Sequence, residues 1–121
     1  MPRPLAIALD VAVVFVFAAV GRASHAEATD PAGVARTAGP FLLATLMAWV
    51  YLVLKRPTES PWRQGLVVWL AAVAGGMVVR VLLGEGVQPA FVAVAAAVLG
   101  AGLFGWRALD RALARRGRPT R

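Results

Sequence analysis

Along this chain the apolar residues do not recur with the period of a surface helix or a half-buried strand. They gather into four long blocks, at 5–21, 39–54, 65–83 and 87–106, separated by short polar links. A hydrocarbon core of about 30 Å is crossed by about 20 helical residues. The third and fourth blocks meet that length directly, and the first two meet it once the helix starts are placed. Pro4, Pro31, Pro61 and Pro89 each stand near the beginning of a block. Proline suits the first helical turn, where its missing N–H would have no partner anyway. Asp30 and Ser60 precede two of these prolines as N-cap residues, and Gln88 precedes a third. The pattern predicts helices over about 4–21, 31–54, 61–83 and 87–107, with Lys55-Arg56-Pro57 stopping the second and Gly39-Pro40 kinking it. The expected fold is all-α: a polytopic membrane protein, four transmembrane helices in an up-down bundle. It forms one domain over 1–110, followed by a basic cytoplasmic tail at 111–121.

Composition agrees with that reading and excludes others. Of the 121 residues, 60% are apolar and only 16% are charged, against about a quarter charged in a soluble domain. Mean hydropathy is +0.70. With no cysteine there is neither a disulfide framework nor a thiolate metal site, and one histidine cannot build a multi-histidine site. The net charge of +7 comes from cations at helix ends, as membrane insertion demands. No nucleic-acid partner and no cofactor are expected.

The placement of Lys and Arg orients the chain. Ten lie on the side of the two termini and of link 55–60, two (Arg22 and Arg36) lie on the other, and Arg80 falls within the third span. By the positive-inside bias both termini are expected in the cytoplasm, in a multi-pass plasma-membrane protein. A cleaved secretory signal over 1–26 is the rival for the first block, with Ser24-His25-Ala26 as the cleavage motif. Asp10 inside the block and Arg22 before the site weigh against it.

Asp10 and Arg80 are the two charges inside apolar spans. Such residues face other helices, find partners and often mark sites. Asp10 lies about 9 Å along its helix and Arg80 about 28 Å along a helix entering from the same side, so the two are not expected to meet. Asp10 falls level with Trp49, Trp69 and 100–102, with Arg107 the nearest cation. Two roles are open to it: an interhelical anchor accepting from Arg107 or a Trp N–H, or a protonatable group for ion or proton coupling. The anchor reading predicts that Asp10→Asn keeps most stability while Asp10→Leu loses more. At the other level, Arg22, His25, Arg80 and Glu85 form a candidate ligand-binding cluster, since guanidinium suits carboxylate and phosphate. Snorkelling of Arg80, or its pairing with Glu85, is the plainer alternative. Gly75, Gly76, Gly100 and Gly105 are assigned to helix packing, in small-residue stripes expected to seat helices three and four tightly together.

Several of these residues together resemble one known family. They are Asp10, Gly21-Arg22-x-Ser24-His25, Pro40-Phe41, Gly76-Met77-x-x-Arg80, Gly84-x-Gly86, Phe91 and Gly105-Trp106-Arg107. The chain resembles the prokaryotic membrane proteins grouped as domain-of-unknown-function family 3054 over about 5–110. That resemblance implies four helices and carries no assigned activity. The expected function is that of a non-catalytic integral membrane protein, because one His, no Cys and few acids make a nucleophile–base set for acyl or phosphoryl chemistry hard to assemble. The expected partners are membrane lipids, with an anionic ligand or a second copy of the chain as further candidates. The alternative is a small transporter or channel subunit using Asp10 and the Arg22/His25/Arg80 rim.

Overall fold

The computed structural model describes residues 2–24 and 30–117. His25 and the last four residues of the basic tail lie outside the described residues. Four helices follow one another: α1 (Arg3–Ser24), α2 (Pro31–Lys55), α3 (Pro61–Leu82) and α4 (Pro89–Arg116). All four are long and apolar enough to span a membrane. Large apolar side chains such as Met47, Leu54, Val81 and Leu82 are exposed on their outer faces. Water would oppose such a surface, whereas lipid accepts it.

The helix starts follow the local chemistry. Asp30 accepts from the Gly33 N–H at 3.4 Å, and Ser60 from the Arg63 N–H at 3.3 Å, each just ahead of a proline at the helix start. α2 runs unbroken through Pro40, which is buried. α4 continues to Arg116, past its expected end at 107 and through much of the expected tail. The residues from Ala108 to Arg116 are mostly Ala, Leu and Arg, strong helix formers, and the terminal arginines complement the helix dipole.

α3 ends in a Schellman cap. Gly84 adopts φ +78°, a conformation open to glycine without steric cost. The Glu85 N–H returns to the Arg80 carbonyl at 2.8 Å, and the Gly84 N–H to that of Val81 at 3.0 Å. At the opposite end, the Arg3 guanidinium donates to the carbonyls of Arg56 and Pro57, fastening the start of α1 to the α2–α3 link.

Each helix packs mainly against its neighbours in the chain, and α4 closes back on α1. α1 is thus part of the core and supplies Ala6, Asp10, Val14, Phe17 and Ala18 to it. α3 contains one π turn at Ala71–Gly75. The turn interrupts the regular register and leaves Gly75 and Gly76 facing α2. A Cβ on Gly75 would lie 3.0 Å from Ala44 Cβ, and one on Gly76 would lie 2.4 Å from the Phe41 ring. These two glycines therefore pack α3 on α2, and the expected tight seam of helices three and four is corrected. α3 meets α4 chiefly through its first half, where Gly100 lies beneath the Trp69 indole. Gly105 has open space beside it, and Ala97 and Ala101 of the same stripe are exposed, so that stripe faces outward.

Candidate functional site

Two polar centres sit at opposite ends of the four helices. The first lies in the half that carries both termini. Asp10 of α1 and Arg107 of α4 are buried, and their side chains are inaccessible. The Arg107 guanidinium donates to Asp10 Oδ1 at 2.8 Å and to Oδ2 at 2.9 Å. The Trp106 indole N–H adds a bond to Oδ1 at 2.8 Å, and that of Trp49 a bond to Oδ2 at 2.9 Å. The carboxylate thus accepts four hydrogen bonds, two on each oxygen, from α2 and α4. Arg107 also donates to the Leu103 carbonyl at 3.0 Å, and its guanidinium lies 4.3 Å from the centroid of the Trp106 ring.

This symmetry changes the expectation for Asp10→Asn. Whichever way an asparagine amide is turned, its NH₂ faces one indole N–H and one guanidinium N–H. It cannot accept from either. Trp69, placed by helical rise at the same level, turns away to donate to the Ala96 carbonyl at 2.9 Å. Trp106, which sequence reasoning did not choose as a donor, takes its place. The signal was available: Trp106 adjoins Arg107, at the same depth as Asp10.

The second centre is a cleft of about 790 Å³ between the loop ends of the helices. Arg22 of α1, Arg36 and Thr37 of α2, and Arg80 and Glu85 of α3 and its cap stand around it. The Schellman cap folds the chain back so that Glu85 reaches Arg80 at 2.9 Å. Arg80 also donates to the Gly86 carbonyl at 2.8 and 3.2 Å and lies 4.3 Å from the Phe91 ring centroid. Arg22 donates to Thr37 Oγ1 at 3.1 Å, beside the Asp30 cap at the start of α2. Arg22 and Arg80 come from helices that are not close neighbours, and both line the cleft. Arg36 was not anticipated; it lies near Arg22 only because α1 packs on α2. His25 lies outside the described residues.

The two centres are separated by an apolar layer. Phe17, Phe41 and Phe91 from α1, α2 and α4 meet under the cleft, with ring centroids 5.0 to 6.1 Å apart. Below them Val14, Ala95 and Leu99 are fully buried. Asp10 and Arg80 thus belong to different centres, as helical rise required.

Neither a search of curated proteins nor a search of solved structures returned a match. The family described as a protein of unknown function (DUF3054) matches residues 7–110, and the chain belongs to that family.

Proposed function

We propose that this chain is a non-catalytic membrane protein of the prokaryotic plasma membrane that binds an anionic group in the arginine cleft. The observation that carries this reading is the cleft itself, where three guanidiniums and one carboxylate line a single cavity. Guanidinium meets phosphate or carboxylate with paired hydrogen bonds, and three of these groups line this one cleft. Arg80 is held in place by Glu85, Gly86 and Phe91, so little side-chain freedom remains to be lost on binding.

Asp10 takes the structural role in this reading. Its carboxylate is saturated by four donors in a closed core, and the phenylalanine layer stands between it and the cleft. This arrangement favours binding over transport through the midplane.

The binding test compares thermal unfolding of the purified protein in neutral detergent with and without inorganic phosphate. Wild type is expected to be stabilised. Arg80→Gln and Arg36→Gln should each weaken binding by about 1.5 kcal/mol or more, the size of one charge-assisted bond. Equal stabilisation of all three proteins would remove the cleft from consideration.

Orientation is part of the proposal, with both termini cytoplasmic and the cleft facing outward. Reporter fusions after residue 121 and within 55–60 should read cytoplasmic, and fusions within 22–30 external. An external signal from the C-terminal fusion would overturn it.

A further inference from the structure

A second, apolar cavity of about 200 Å³ lies along the seam of α1 and α4. On α4 the cleft is bordered by Ala90 and Val94, and this second cavity by Val98, Gly102 and Trp106. These five residues are spaced by four and form one ridge that winds along the helix by about 40° per step. On α1 the cleft is bordered by Phe17 and the seam cavity by Val13 and Val16. The two cavities therefore run end to end along one seam, basic at the loop end and wholly apolar below. Glycine at 102 is what shapes it: a Cβ there would lie 2.6 Å from Val13 Cγ1.

From this continuity we infer that the occupant is an anionic phospholipid of the membrane leaflet at the cleft end. Its phosphate lies among Arg22, Arg36 and Arg80, and one acyl chain descends the α1–α4 seam. The inference rests on the anion-binding reading above and adds the class of ligand. Length supports it. From Pro89, where α4 starts, to Val98 at the head of the seam cavity the helix rises about 14 Å, at about 1.5 Å per residue. Half of a hydrocarbon core of about 30 Å is about 15 Å, the depth of one leaflet's chains. Charge supports it as well. A free phosphate has no use for the apolar seam, and a second copy of this chain would bring arginines to arginines. Val16 is 60% exposed and Val94 48% exposed, so the seam is reached sideways from lipid without opening the helices.

The test uses protein purified in neutral detergent and follows the rise in Tm with added dioleoyl phosphatidylglycerol, dioleoyl phosphatidylcholine or glycerol phosphate. Val16→Trp and Ala12→Phe place bulk over the seam at exposed positions, and the unfolding of each without lipid checks its fold. Wild type should respond to phosphatidylglycerol and to glycerol phosphate, and far less to phosphatidylcholine. The two seam variants should keep the glycerol phosphate response and need about tenfold more phosphatidylglycerol. If they respond to phosphatidylglycerol as wild type does, the chain does not lie in the seam, while the anion site stands. If wild type responds to neither phosphatidylglycerol nor glycerol phosphate, both readings fall. An equal response to phosphatidylcholine would also overturn the inference. So would a dimer that Val16→Trp dissolves, since the seam would then hold a second copy.

Discussion

Asp10→Leu is expected to destabilise the protein by about 3–5 kcal/mol, the range found when one partner of a buried ion pair is removed. The leucine leaves Arg107 charged and enclosed, with its bidentate acceptor gone and the Trp49 and Trp106 indoles unpaired. Asp10→Asn should cost at least about 2 kcal/mol. Either amide orientation sets an NH₂ against two donors, and each buried donor left unpaired costs about 1–3 kcal/mol. Asp10→Leu with Arg107→Leu should recover part of the loss, because apolar replacement of both partners removes the stranded charge. Unfolding titrations in mixed detergent micelles measure all three against wild type. Wild-type stability in Asp10→Asn would show that the four-donor arrangement does not hold the helices together. A double variant less stable than the sum of the single ones would contradict the stranded-charge account.

Gly76→Ala is expected to be the most damaging of the glycine substitutions on α3 and α4. Its new methyl would lie 2.4 Å from the Phe41 ring, which is fully buried and meets Phe17 edge-on at 5.0 Å. The ring has nowhere to go, so α3 must move away from α2, at a cost of about 1–3 kcal/mol. Because Phe41 also meets Phe91, which lies under Arg80, the displacement should reach the cleft and weaken phosphate binding too. Gly75→Ala should be milder, with its methyl 3.0 Å from Ala44 Cβ. Gly105→Ala meets nothing and should be neutral or stabilising by up to about 1 kcal/mol, the helix preference for alanine over glycine. The same unfolding titrations rank them. Equal effects at Gly76 and Gly105 would refute the packing argument.

Much of this was legible before any coordinate was known. Apolar block length and proline-led caps placed four helices, since membrane thickness and unpaired N–H groups act locally. Helical rise put Asp10 near Arg107 and far from Arg80. The donors were less legible. Trp69 and Trp106 are both at reachable depths, and depth alone cannot say which indole turns inward. Arg36 could not be assigned to the cleft until α1 and α2 were known to be neighbours. Sequence also named Glu85 as a partner for Arg80, but the means of bringing them together is the glycine cap at residue 84, which only the structure shows.

The sequence by itself determined the number of spans, where each begins, the depth of each charge and the expected orientation. These follow from counting residues along an axis at fixed rise, and from solvation costs that each segment meets alone. Only the tertiary structure decided rotation about those axes and the choice of neighbours. Small residues on α3 could seat against either α2 or α4, and both packings satisfy the same van der Waals chemistry. One inserted residue in the π turn shifts the register by up to about 100°, the angular step of one residue. That register sets Gly75 and Gly76 against α2 and leaves the loop end of α3 apart from α4. The arginine cleft occupies that end, because no local term in the sequence states how four helices share one core.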